Sequence, residues 1–457
     1  AAFDTFPADL LEHYGQHYAD TLGINPEHLL NMGKMFADDN NERFNMAYLA
    51  ARTCARINGV SELHGAVSKK IFAGLYPDWP LVEIPVSYVT NGVHMPSWDS
   101  ALADKVWTDS CGKDRWLGAQ ECLNSKIEKL DDNKIWSLRG QQRTDLIHYV
   151  RRRLSDQKRR SPNSGQPIEQ AQTILDPNIL TLGFARRFTE YKRPNLLLTD
   201  QQRLINLLSN TQMPLQIIIA GKAHPQDNKG KHFIKEWFAF LQRPEVRPHI
   251  VFLEDYDIRL AQHMVQGVDL WLNTPRRPWE ACGTSGMKVL VNGGLNISEL
   301  DGWWAEAYTS HVGWALGDGE QHNENDWDHI EAQQLYTLLE DQIIPAFYRR
   351  DADGIPIEWV QMIRNSMSCL TPKFSSNRML REYTEKLYLP ALADYKMRNE
   401  NGIELAHKLS QWQTQLVHYG DNIHWGDLRV EQHSNSTSFV VSVYLGDVPV
   451  DYIEVQL

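Results

Sequence analysis

Cysteine is scarce in this chain of 457 residues. There are five, at positions 54, 111, 122, 282 and 369, and no two stand in a C-x-x-C spacing. An odd, scattered set supports neither a disulfide framework nor a metal site, and fits a reducing, cytoplasmic setting. Long apolar runs are also missing. No stretch reaches 18 apolar residues, so no transmembrane helix is expected. The opening A-A-F-D-T-F-P-A-D-L has neither a basic region nor an apolar core, and does not read as a secretory signal. It lacks an initiator Met, which reads as a chain processed or cut from something longer. Positive charge is in deficit: 46 Lys and Arg face 58 Asp and Glu, a net −12. That argues against nucleic-acid and membrane partners, but leaves room for a local basic site that takes a small anion.

What is present is ordinary for a folded chain with a large core: 42% apolar and 23% charged residues. Fifteen tryptophans are many. Carbohydrate sites use such rings, although packing accounts for most. Residues 1–80 show apolar positions at three-and-four spacing over Phe6–Leu22, His28–Met35 and Phe44–Leu75, which predicts helices. Residues 80–93 read as a strand ending in a turn at Asn91-Gly92, and 99–150 as helical again. The polar stretch 155–177 reads as an exposed loop. Then short apolar runs at 178–185, 216–223, 250–256, 268–275 and 294–302 alternate with helical patterns at 194–208, 229–242, 257–266 and 284–292. Such alternation predicts an α/β fold with a doubly wound parallel sheet, whose ligands bind beyond the carboxyl ends of the strands. Residues 327–418 return to helices. Three runs after Tyr419-Gly420 predict a short antiparallel segment, with a turn at Gly446-Asp447.

Three clusters bear chemistry. R-R-F-T-E-Y-K-R, 186–193, puts four cations in eight residues just after a strand. This suits an anion, and equally a solvated basic face. E-A-C-G-T-S-G-M-K, 280–288, resembles a phosphate cradle but lacks the Walker spacing. Gly283 and Gly286 let amides approach an anion closely, and Lys288 opens an apolar run, where a desolvated amine becomes a nucleophile. A capped helix with a snorkelling lysine gives the same letters. T-N-G-V-H-M-P-S-W, 90–98, offers Asn91 for a sugar hydroxyl and Trp98 for a ring, or simply an Asn-Gly turn.

Taken together, the clusters resemble the glycogen (α-glucan) phosphorylases. The likeness runs through N-M-A-Y-L-A, I-N-G-V-S-E-L-H-G, T-N-G-V, R-x-x-E-Y-K-R, G-K-A-H-P, Y-D-I-R-L-A, E-A-C-G-T-S-G-M-K-V-L-V-N-G-G-L and K-F-S-S-N-R-M, from Asn45 to Met379. P-R-R-P-W-E and S-E-L-D-G-W-W-A-E resemble its bacterial and archaeal branch. The resemblance implies the C-terminal, Rossmann-like part of a two-domain (GT-B) glycosyltransferase. Its expected parts are a helical tail of an incomplete N-terminal domain at 1–90, a catalytic domain at 91–400, and a helix with an antiparallel β segment at 401–457. The family's histidine-bearing sugar loop is expected just upstream of Ala1.

The resemblance also implies roles. Lys288 matches the lysine that forms a Schiff base with pyridoxal 5'-phosphate. Gly283, Thr284 and Ser285 would give amides to the cofactor phosphate, helped by Lys192 and Arg186, with Tyr256 and Trp98 beside the cofactor. Arg186 departs from the lysine common in other branches. Arg187 would meet the substrate phosphate, Glu280 and Asn91 the glucosyl hydroxyls with Gly283 alongside, and Gly221-Lys222 matches a neighbouring loop. Arg187, Lys192, Lys288 and Glu280 would then carry the catalysis, with α-1,4-glucan and inorganic phosphate as partners and a homo-oligomer for the complete protein. A glycogen synthase-like transferase is the first rival, but it tends to have a glutamate where Lys288 stands. The second rival is a non-catalytic glucan-binding subunit. The isolated half-cleft is expected to be nearly inactive.

Overall fold

The computed structural model describes residues 3–455 apart from 37–38, 78, 119, 121, 161–167 and 323. The chain divides into two compact units, Ala1–Tyr383 and Thr384–Leu457. The first is built on six strands: β1 (Leu180–Arg187), β2 (Leu215–Lys222), β3 (Ile250–Leu253), β4 (Leu270–Asn273), β5 (Leu295–Glu299) and β6 (Gly313–Leu316). All pair in parallel, in the order β6-β5-β4-β1-β2-β3. The order reverses between β1 and β4. The two central strands therefore send their connections to opposite sides and leave a crevice at their carboxyl ends.

Both sheet faces are covered, so the strands are apolar throughout instead of alternating. Ile217 and Ile219 of β2 enter one core, with Trp237 and Phe240, while Ile218 and Ala220 enter the other, with Leu260 and Met264. The second face is covered by α1 (Asp132–Arg160) and α2 (Ile258–Gly267). Arg139 of α1 is fully buried, yet it donates to the carbonyls of Gln266, Gly267 and Asn292 at 2.9, 3.2 and 3.0 Å. Those first two are orphan carbonyls at the end of α2, so the guanidinium acts as that helix's C-terminal cap. Neighbouring Arg143 pairs with buried Asp269 at 2.6 Å.

Several expectations are corrected. Sheet strand β6 was not anticipated; its four residues G-W-A-L are too few to show a period. The presumed helix 284–292 is a single turn, Met287–Leu290, stopped by Gly293 at φ +78°. The presumed loop 155–177 is helical to Arg160 and again over Ile168–Thr173, with 161–167 outside the described residues. Lys, Arg and Gln favour helix, and cations suit a helix C-terminus, so polarity there does not signal a loop. The presumed helix Phe44–Leu75 is two, Met46–Thr53 and Glu62–Phe72, around a short strand Ile57–Gly59. Ser61 caps the second helix, accepting from the His64 amide at 3.1 Å. The presumed strand at 80–93 narrows to Val86–Tyr88, parallel to Ile57–Gly59.

The second unit holds helices Leu389–Asn399 and Glu404–Tyr419 and an antiparallel pair, β7 (His424–Gln432) and β8 (Thr437–Tyr444), with a register shift between Trp425 and Leu428. The expected third strand, 451–457, instead opens in a 3-10 turn at Val450–Tyr452 and shows no strand to 455, while 456–457 lie outside the described residues. Pro449 has no amide to give to a ladder. Among the described residues no helix is long and apolar enough to cross a membrane.

Candidate active site

The crevice is framed by the segments that leave β1 and β4. They are tied to each other. The Thr274 hydroxyl reaches the carbonyls of Lys192 and Arg193 at 3.0 and 3.2 Å, and the Arg276 amide donates to the Tyr191 carbonyl at 2.6 Å. Strand alternation sends the last two residues of β1 opposite ways. Arg186 is buried, and Arg187 is exposed with no hydrogen bond or ion pair to a described residue.

Glu280 lies between two cations. Its Oε2 accepts from Arg186 Nη2 at 2.6 Å and from Lys192 Nζ at 2.7 Å. Burial alone would raise its carboxyl, but Arg186 and Lys192 outweigh that and hold it below the ordinary range. Glu280 is thus an ionised acceptor, unsuited to give up a proton. Burial, then Arg186, lowers the Lys192 ammonium to about 8 despite its bond to Glu280. Arg186 Nη1 is buried with no partner among the described residues. Two buried cations on one carboxylate, with Arg187 free beside them, leave a positive excess. In a partly buried site that excess demands an anion.

The next turn supplies further anion donors. Gly283 has φ +78°, and a Cβ there would meet Glu280 Cγ at 3.1 Å. The amides of 283–286 make no hydrogen bond to a described acceptor, while the Met287 and Lys288 amides close onto Thr284 and Ser285 carbonyls at 3.2 Å. The Ser285 hydroxyl accepts from the Trp271 indole at 3.2 Å. Lys288 Nζ stands 3.8 Å from the Trp98 ring centroid, and burial lowers its pKa. No carboxylate faces it among the ion pairs of the described residues. Such an amine is poised to lose its proton and bond covalently to a carbonyl. Tyr256 is half-buried, its phenol raised by burial with Arg186 opposing. Asn91 sits where its carbonyl accepts from Arg378 at 3.1 Å, and its backbone bonds the buried Cys282 thiol, which burial pushes up to about 12. Gly221 lies against β1, where a Cβ would meet the Arg186 carbonyl at 2.2 Å. The free amides, the orphaned guanidinium nitrogen and the unpaired amine fit a phosphorylated aldehyde.

Residues 10–313 match the family profile described as carbohydrate phosphorylase. The chain belongs to the carbohydrate phosphorylase family. It is similar to the glycogen phosphorylase of Mycobacterium tuberculosis, 38% identical over 420 residues, covering 90% of this chain and 48% of that protein. It is also similar to the glycogen phosphorylase of Aquifex aeolicus, 38% identical over 394 residues, covering 86% and 56%. A third relative is the maltodextrin phosphorylase of Thermococcus litoralis, 36% identical over 433 residues, covering 93% and 49%. The chain therefore spans about half the length of the curated phosphorylases it matches.

Around the phosphorylase motifs the structure gathers residues that sequence reasoning missed. Arg193, the last letter of E-Y-K-R, sits at φ +44°. It donates to the carbonyls of Thr274 and Pro275 at 3.0 and 2.8 Å, and pairs with Glu299 and Asp328 at 3.1 Å each, and with Glu331. Arg276 also holds Asp328, at 2.7 Å. Burial and Glu331 raise Glu299 to about 9, so it carries a proton at neutral pH. Asp301 accepts from the Glu280 and Gly302 amides at 2.8 Å each, yet burial raises it to about 7. On the other rim, Ser61 donates to the Ala281 carbonyl at 2.6 Å. Glu306 accepts from the Thr90 hydroxyl at 2.7 and 2.9 Å, steadying the segment before Asn91. The partners of Arg193, Ser61 and Thr90 lie 81 to 220 residues away in the chain, beyond any local pattern. The forms S-E-L-D-G and P-R-R-P-W-E were the available signal.

Proposed function

We propose that this chain is the cofactor- and phosphate-holding half of an α-1,4-glucan phosphorylase, which releases glucose 1-phosphate from glycogen or maltodextrin with inorganic phosphate. One observation carries the reading: Arg186, Arg187 and Lys192 outnumber Glu280 beside the amides of 283–286 and next to Lys288, and among the described residues those amides have no acceptor and that lysine no counter-ion. Two phosphates side by side repel strongly in a low dielectric, and this is the charge excess that would hold them.

The residues present fit pyridoxal 5'-phosphate. Lys288 would hold it covalently, the amides of Gly283, Thr284 and Ser285 with Lys192 and Arg186 would take its phosphate, and Trp98 and Tyr256 would flank it. When bound, it supplies a phosphate group able to share a proton with the substrate phosphate. Arg187 orients that substrate phosphate. Glu280, kept ionised, accepts from glucosyl hydroxyls, with Asn91 and Gly283 beside it, and positions the sugar rather than protonating it. Separate acid and nucleophile carboxylates of the glycosidase kind are then unnecessary. The site is completed by the other half of the protein, in a cytoplasmic homo-oligomer.

The test uses the purified chain with pyridoxal 5'-phosphate. Borohydride reduction followed by peptide mass spectrometry should find the cofactor on Lys288. Lys288→Ala should abolish both the imine absorbance and the adduct. Uptake by another lysine, or unchanged absorbance in the variant, overturns the assignment.

A further inference from the structure

Trp279 precedes Glu280, and its indole is 56% exposed. A lone exposed ring is unremarkable in itself. This one is fixed. One face lies on Tyr191, with ring centroids 6.4 Å apart and planes at 27°. Tyr191 is itself half-buried, and Lys192 Nζ stands 4.8 Å from its ring centroid. The backbone beneath is tied at three points. The Arg276 amide donates to the Tyr191 carbonyl at 2.6 Å, the Trp279 amide to the Arg276 carbonyl at 2.8 Å, and the Glu280 amide to Asp301 at 2.8 Å. The Arg277 guanidinium reaches the Leu300 carbonyl and pins the same turn to the end of β5.

The stack also lies within electrostatic reach of the cation cluster. The Tyr191 phenol is raised first by burial and then by Glu280, with Arg186 and Arg187 opposing. Tyr191 is the one ring stacked on Trp279 among the described residues, and more than half of the residue's surface stays in water. A rigid aromatic face in water, one residue from an ionised hydroxyl acceptor, suits a pyranose. The sugar's apolar C–H face covers the ring while its hydroxyls face polar neighbours. Little side-chain entropy is lost on binding, because the ring is already held.

We propose that Trp279 is a stacking platform for a glucosyl residue of an α-glucan, forming a saccharide subsite at the mouth of the crevice. This rests on the phosphorylase reading above. The chain labelled with 5-fluorotryptophan tests it by fluorine NMR, with Trp279→Phe identifying the signal. Titration with maltoheptaose should shift that signal saturably. By calorimetry, Trp279→Ala should weaken maltoheptaose binding about tenfold, the order expected for a lost aromatic contact. Trp279→Phe should keep most of the affinity, and inorganic phosphate should bind all three proteins alike. No saccharide affinity in the unmodified chain, or equal affinity in Trp279→Ala, overturns the platform. Failure of the phosphorylase reading looks different: the chain would take up neither phosphate nor pyridoxal 5'-phosphate.

Discussion

Two polar clusters stand at the strand ends with inverted stoichiometry. Around Glu280, two buried cations share one carboxylate. Around Arg193, two guanidinium groups, its own and that of Arg276, face three carboxyls, Glu299, Asp328 and Glu331. The second cluster balances itself, because burial and crowding leave a proton on Glu299. Glu280 offers the first no such remedy: it is already ionised, and a proton taken up there would only enlarge the excess. Its balance has to come from outside, as an anion. A self-neutralising cluster is a fastener, and one with unmet charge is a binding site.

The contrast can be broken experimentally. The largest effect is expected from Arg193→Met, which strands Glu299 and Glu331 while Arg276 still holds Asp328. Stability should fall by about 5 kcal/mol at neutral pH, and partly recover toward pH 5 as the carboxyls take up protons. Denaturant titration at both pH values measures this, and equal loss at both would end the fastener interpretation. Glu280→Gln should come next, costing about 3 kcal/mol by leaving Arg186 and Lys192 unpaired. Inorganic phosphate should then raise the melting temperature of the variant more than that of the parent, since the anion takes over the lost role. A smaller increment in the variant contradicts the excess-charge argument.

Glu331→Gln should act through pH. Glu299 has a folded pKa raised from 4.5 to about 9, so its contribution is fully present below 4.5 and is lost as pH rises toward 9. Removing Glu331 lowers the folded value and ends that decline at lower pH. Lys192, depressed from 10.5 to about 8, has the opposite slope, regaining stability between those values. Stability against pH from 5 to 10 in the two proteins separates the slopes. The smallest effect belongs to a balanced pair, Arg203 and Glu340, bonded at 2.6 Å and part-exposed. Glu340→Gln should cost only about 0.5 kcal/mol by thermal melting.

Much of the crevice was legible because its pieces are local. Strands β1 to β5 announce themselves as apolar runs, and the cations and glycines follow them within a few residues. Lys288, Glu280 and Lys192 could be named from short motifs. The Arg193 cluster could not, since Glu299 and Glu331 lie 106 and 138 positions away and only the fold brings them in. Length defeated the reading of β6, and charge misled it at 155–160, where a polar stretch proved helical. At the far end, D-Y-I-E-V-Q-L looked extended by composition, but its first two residues close a 3-10 turn.

Cys282 lies in the middle of the crevice loop, buried, its thiol raised to about 12. Because the thiolate is the reactive form, this sulfur is inert to alkylating reagents and oxidants near neutral pH. Cys54, Cys122 and Cys369 are exposed. Maleimide dyes or spin labels will therefore attach at those three surface thiols, and at half-buried Cys111 more slowly, ahead of the loop between Glu280 and Lys288. The native protein can carry reporters of ligand binding without a single substitution in its crevice.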